Sequence, residues 1–206
     1  MNELKETILN NLKSIEREGM DKLIHYLEEQ SDYFTAPASS KYHGNYTGGL
    51  AEHSHNVVML LIEKNERYNL GLSNDSIYIA GYLHDMCKIN LYTTAIRCRK
   101  NKADKWEGYR TYEFNDQLPL GHGEKSVIRL QQFIKLTVEE IMMIRWHMGP
   151  YVPVEDRHAL HKAMEMFKSV TAMYTADLEA SQMLEETVEP EVCSMDEYNQ
   201  YKNSLK

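Results

Sequence analysis

The sequence predicts an all-α fold, a helical bundle carrying one small hairpin or ordered flap at about residues 90–118. Three observations carry this expectation. Apolar residues recur at helical spacing along most of the chain. Capping residues and glycines punctuate those stretches. Alternation suited to a strand is confined to one segment.

Taken in order, residues 3–17 place Leu4, Ile8, Leu12 and Ile15 on one face, and Gly19 ends that helix. A second helix covers about 21–31, with Leu23, Ile24, Tyr26 and Leu27 inward and His25 on its surface. Phe34 to Asn45 reads as a loop, since Pro37 breaks helices and Ala38-Ser39-Ser40 is small and polar. Gly48-Gly49 then opens a long helix to Tyr68, the glycines permitting close packing or positive φ at its start. Ser73-Asn74-Asp75 supplies N-caps for a helix over about 75–86.

Residues 90–118 are rich in Thr, Tyr and Arg around a polar centre at Arg99 to Lys105, which suggests the hairpin or flap. Helices follow at about 124–134, from the capping box at Thr137 up to Trp146-His147, and from His158 onward. A last long helix is expected over Ala163–Glu186, with Met166, Val170, Met173 and Ala176 apolar. The expected organisation is N-terminal helices at 1–34 packed on the core, a main domain at 35–187 and a C-terminal tail at 188–206.

Composition narrows the function classes. The 206 residues are 42% hydrophobic, enough for a sizeable core, and 26% charged. No apolar run approaches the ~18 residues of a membrane span, and Met1-Asn2-Glu3-Leu4-Lys5 lacks a basic-then-apolar leader. A cytoplasmic protein without a membrane partner is therefore expected. Cys87, Cys98 and Cys193 are odd in number and lack C-x-x-C spacing, so they read as free thiols. The net charge of −8 disfavours long nucleic acid as a partner. It permits a small phosphorylated substrate, because bound metal supplies local positive charge.

The chemistry resides in His84-Asp85, which ends the apolar run Ile77 to Leu83. His53, His122, His147 and Asp177 flank it at helix-scale intervals. Imidazole and carboxylate together suit Mn, Fe, Co, Ni or Zn better than Ca, with Mg admissible, so one or two divalent ions are the expected cofactor. A lone buried carboxylate is costly unless paired or metal-bound, which favours a ligand role for Asp177. His43, just ahead of the glycine pair, is placed at the pocket mouth as a candidate substrate contact. Arg97 and Arg110 are candidate phosphate contacts, although such charge runs are commonly solvated faces. Trp146 and Tyr82 read as core, and His55, His158 and His161 as surface histidines.

The ordered set His53, His84-Asp85, His122, His147 and Asp177 resembles the HD superfamily of metal-dependent phosphohydrolases. The local text agrees at Gly48-Gly49-Leu50-Ala51-Glu52-His53-Ser54, at Gly81-Tyr82-Leu83-His84-Asp85-Met86-Cys87-Lys88 and at Leu120-Gly121-His122-Gly123-Glu124-Lys125-Ser126. It is most similar to the HD domain of bacterial 3′–5′ exoribonucleases and to stand-alone phage and bacterial relatives, over residues 35–185.

The resemblance implies an HD-domain helical bundle with metals between its helices. By position, His53, His84, Asp85 and Asp177 correspond to the ligands of a first metal. His122 and His147 correspond to ligands of a second, with Asp85 bridging. It also implies a metal-activated water, with Asp85 or Asp177 taking its proton and Lys88, the lysine of HD-x-x-K, meeting a substrate phosphate. The expected substrate is a nucleotide or short oligonucleotide, cleaved as a mono- or diester. The segment ahead of Gly48 reads as helices, so the separate RNA platform of the exoribonucleases is not expected. Two other functions fit the same pattern: a non-catalytic nucleotide-sensing module and an HD-type metal oxygenase. The exposed N-terminal helices offer a surface for a homo-oligomer.

Overall fold

The computed structural model describes residues 2–205. Helix α1 (Asn2–Lys13) and helix α2 (Met20–Glu29) pack against each other, and α1 also packs on α3 (Gly49–Tyr68) and α4 (Asn74–Leu83). Ile8, Leu12, Leu23 and Leu27 on the first pair join Leu50, Leu61, Ile77 and Leu83 on the second in one buried cluster. Burying each such leucine contributes about 1.5–3 kcal/mol. The first helix stops at Lys13, short of the expected end at Gly19, and Gly19 at φ 91° is instead the N-cap of α2.

Helix α3 begins as its glycine pair allows. Gly48 sits at φ 88°, and a Cβ on Gly49 would lie 2.0 Å from the Gly44 carbonyl oxygen. Ser73 caps α4 by accepting from the Ser76 backbone N–H. Gly81 lets α4 close onto α3, since a Cβ there would meet Val58 Cγ2 at 2.5 Å. His84, one turn beyond Gly81, is thereby brought to the α3 face that carries His53.

The all-α expectation is corrected. The chain is 55% helix and 10% strand, a mixed α/β fold with a three-stranded antiparallel sheet. β1 (Tyr92–Lys100) and β2 (Trp106–Phe114) pair in register from Tyr92↔Phe114 to Lys100↔Trp106. Asn101 organises the turn, its side-chain oxygen accepting from the N–H groups of Ala103 and Lys105. The segment expected to be a tail supplies the third strand, β3 (Val192–Cys193), paired to Gly108 and Tyr109 of β2. Gly108 makes room for it, because a Cβ there would lie 2.7 Å from Cys193 Sγ. Helix α9 (Met195–Ser204) then covers the sheet, opened by a capping box at Ser194 and Glu197.

Between hairpin and tail lie α5 (His122–Leu130), α6 (Val138–Arg145), α7 (Arg157–Met166) and α8 (Lys168–Glu179). The long helix expected over 163–186 is divided. Phe167 is extended, at φ −134° and ψ 111°, because it packs beside Trp146, Leu160 and Val170 in a second apolar cluster. After α8 the chain widens into a π-helical turn, Ala180–Leu184, that sets the direction of Glu185.

The end of α6 nearest the N-terminal helices is pinned by one carboxylate. Glu140, fully buried, accepts from both guanidinium nitrogens of Arg17 at 2.7 and 2.9 Å, from the Ser76 hydroxyl and from the Thr137 N–H. It closes the capping box while tying α6 to α4 and to the α1–α2 turn. Among the described residues no helix is long and apolar enough to cross a membrane.

Candidate metal centre

Helix α4 ends at Leu83, earlier than the expected boundary near 86, and that early stop creates the site. Consecutive helical side chains diverge by about 100°. Asp85 leaves the helical region, at φ −98° and ψ 26°, and a short 3₁₀ turn, Met86–Lys88, follows. Helix α5 holds this turn in place. Ser126 Oγ accepts from the Cys87 N–H at 3.0 Å, and Arg129 donates to the Met86 and Ile89 carbonyls at 2.8 and 2.7 Å.

The structure brings His53, His84, Asp85, His122, His147 and Asp177 into one cluster. They come from α3, the end of α4, the start of α5, the turn after α6, and α8. His53 Nε2 lies 3.2 Å from His84 Nε2 and 2.9 Å from Asp177 Oδ1. The two oxygens of Asp85 face different neighbours. Oδ2 lies 3.4 Å from His84 Nε2 and 3.7 Å from His53 Nε2. Oδ1 lies 2.8 Å from His122 Nε2 and 3.6 Å from His147 Nε2.

Three rings have their Nδ1 already engaged, which aims Nε2 inward. His84 Nδ1–H donates to the Gly81 carbonyl at 2.8 Å, and His147 Nδ1–H to the Ile144 carbonyl at 2.7 Å. His53 Nδ1 faces Glu185 Oε1 at 2.9 Å. Outer partners of this kind fix the tautomer and ring orientation of metal-binding histidines. The result gathers ring nitrogens and carboxylate oxygens in one place, with His53, His84, Asp85 and His147 buried. His147 Nε2 is buried with no hydrogen-bond partner among the described residues. A buried polar atom left so costs about 1–3 kcal/mol, and a cation removes that cost. Ligand atoms ~2.0–2.1 Å from one tetrahedral ion lie ~3.3 Å apart, and the 3.2 Å between His53 and His84 matches that span. His53, His84 and Asp85 form one group close enough to hold an ion, and Asp85, Cys87 and His122 form another. The residues present fit a divalent cation.

The electrostatics agree. Burial opposes charge on His84, but Asp85 and Asp177 outweigh it and push the imidazole up to about 10. His122 is likewise raised to about 10, Cys87 and Asp85 overcoming burial. His53 is raised by Asp177 and Glu185 against burial. Burial prevails at His147, which is lowered and keeps a neutral ring. Asp85 is held well below the usual carboxylate range, Lys88 and His84 outweighing burial, and so is Asp177, beside His53 and His84. Without metal, protons on these rings balance the carboxylates.

The other sequence-derived residues divide. Lys88 Nζ lies 2.7 Å from Asp85 Oδ2, at the cluster and 13% exposed. His43 is at its edge, Nδ1 2.7 Å from Glu185 Oε2 and its ring 5.1 Å from that of His53. Arg97 and Arg110 are drawn elsewhere. Arg97 pairs with Glu113 across the hairpin, and Arg110 with Glu191 and Glu197 of the C-terminal segment. These pairs set both guanidinium groups on the sheet and its C-terminal cover rather than among the clustered histidines and aspartates; Glu191 and Glu197 lie in the segment expected to be a tail, Glu113 in the hairpin itself. His158 and His161 are exposed on α7, while Trp146 and Tyr82 are core.

Sequence reasoning missed Glu185. Its side chain is 1% exposed and bridges His43 and His53, which overcome burial and bring its carboxyl down to about 2. Glu185-Glu186 reads as an ordinary acidic helix end, and only the π-helical turn directs it inward.

No family model, curated protein or solved structure matched this chain in the comparisons made.

Proposed function

We propose that this chain is a metal-dependent phosphohydrolase or phosphodiesterase of the HD type, acting on a nucleotide or short oligonucleotide. The observation that supports it is the convergence of Nε2 atoms from His53, His84 and His147, each with Nδ1 engaged behind it, on the buried carboxylate of Asp85 and the partly exposed one of Asp177. His53, His84, Asp85 and Asp177 would hold one ion, and His122 and His147 with the second oxygen of Asp85 would face another. A bound divalent ion supplies a water acidic enough to act near neutral pH and a positive charge for phosphate oxygens.

The protein's own groups do the rest. His122, with a side chain 36% exposed, marks the solvent side where substrate enters. Lys88 neutralises Asp85 before substrate arrives and can turn its ammonium to a phosphate oxygen, a reach of one flexible side chain. Asp177, 17% exposed, is the carboxylate open enough to accept a proton from an attacking water. Glu185 holds His53 in orientation, and His43 shields that contact from solvent.

Hydrolysis of bis-p-nitrophenyl phosphate and of a nucleotide panel, with Mn²⁺ and after chelation, tests this reading. Metal-dependent turnover is expected. A chain that takes up metal yet turns over none of these substrates would remove the hydrolase assignment, and a nucleotide-induced thermal shift without product would point to sensing instead.

A further inference from the structure

Cys87 carries a feature that the ligand pattern of His and Asp does not use. Its side chain is buried, 1% exposed, and lies on the 3₁₀ turn directly after Asp85. Sγ is 3.4 Å from both ring nitrogens of His122 and 3.8 Å from Asp85 Oδ1. His147 Nε2, buried and without a hydrogen-bond partner among the described residues, lies 3.6 Å from the same Asp85 Oδ1. The His122 and His147 ring centroids are 5.1 Å apart. One carboxylate oxygen therefore neighbours a thiol and two imidazoles.

We infer that Asp85, Cys87, His122 and His147 form a second metal subsite of mixed oxygen, sulfur and nitrogen character, in which Cys87 is a thiolate ligand. The inference rests on the metal-centre reading above and adds a sulfur donor to it. An ion ~2.3 Å from sulfur and ~2.0 Å from nitrogen in tetrahedral geometry puts those atoms ~3.5 Å apart. The observed 3.4 Å fits that edge. Binding releases the Sγ proton to solvent and replaces it with the ion. A thiolate favours zinc and similar soft ions over manganese or magnesium, whereas the pocket of His53, His84 and Asp177 offers only nitrogen and oxygen. The two halves of the centre thus differ in metal preference. The ligand position nearest solvent, His122, leaves a face of the sulfur-bearing half open to substrate.

Titration of the metal-stripped full chain with Co²⁺, followed by absorption, tests this. Thiolate ligation gives an intense near-ultraviolet charge-transfer band, whereas nitrogen and oxygen ligands give only weak visible bands. The expected result is a charge-transfer band in the unmodified chain and in the Cys98→Ser/Cys193→Ser double variant. Cys87→Ser, nearly isosteric, is expected to lose that band while retaining the visible bands of the other pocket. Cobalt bound without the band, a band unchanged in Cys87→Ser, or a band lost with Cys98 and Cys193 would each overturn the sulfur ligand. A chain that binds no cobalt overturns the metal-centre reading itself, and the inference falls with it.

Discussion

At the scale of single residues, the candidate centre separates groups that hold an ion from groups that act beside it. Asp85 touches both halves of the cluster, so Asp85→Ala is expected to abolish metal uptake and turnover together. Lys88 pairs with Asp85 Oδ2 and is not among the clustered imidazole and carboxylate groups, so Lys88→Ala is expected to lower kcat by ~10²-fold, the scale of losing one charge-stabilising donor, while metal content by elemental analysis stays near that of the unmodified chain. Equal metal loss in both variants would show Lys88 to be structural. Glu185 is a positioning residue that acts through His53. Glu185→Ala is expected to weaken metal affinity by ~10–100-fold, read from chelator competition, with Glu185→Gln recovering part of it because an amide oxygen still accepts from His53 Nδ1–H. Indistinguishable affinities across the three proteins would dismiss that role.

Among the elements, α6 depends on one buried carboxylate. Glu140 accepts from Arg17, Ser76 and Thr137, joining three parts of the chain. Removing one member of a buried charge pair costs about 3–5 kcal/mol, and Arg17 is 19% exposed, so water recovers part of that. Glu140→Ala is expected to destabilise by ~3 kcal/mol in denaturant unfolding, and a loss below ~1 kcal/mol would reduce this network to a surface ion pair. The capping box was legible in the sequence because Thr137 and Glu140 are local. The reach of Arg17 to Glu140 was not, since it spans distant segments.

The same contrast explains the other elements. Gly48-Gly49 and Ser73 announced α3 and α4 by local rules. The extended Phe167 carries no Gly or Pro, and only its packing beside Trp146 and Leu160 breaks the expected long helix. β3 is two residues long and exists because Gly108 admits Cys193. For the candidate site, the cluster of four histidines and two aspartates was readable from order and spacing. Glu185 was not, because a π-helical turn sets its direction.

For the whole molecule, the centre couples protonation, metal and stability. His84 rises to about 10 in the folded chain from an ordinary 6.5. A raised folded value stabilises below the unfolded one and loses that contribution as pH rises through the folded one. The metal-free chain should therefore lose stability between pH 6.5 and about 10, with His122 acting in the same sense. Asp85 and Asp177, lowered on folding, act oppositely: their contribution is present above the unfolded value of 3.8 and is lost as acid approaches the folded values. Metal competes with the ring protons, so the Tm gain from added metal is expected to grow with pH across the first window. At ~100-fold excess over Kd that gain corresponds to ~2.7 kcal/mol. A metal-free Tm that stays level from pH 6.5 to 10 would contradict this coupling.

The most direct test of the central claim is anomalous diffraction from crystals of the chain grown with Mn²⁺. The account expects a peak enclosed by His53, His84, Asp85 and Asp177. Well-ordered side chains at those positions, with no anomalous peak between them, would contradict it.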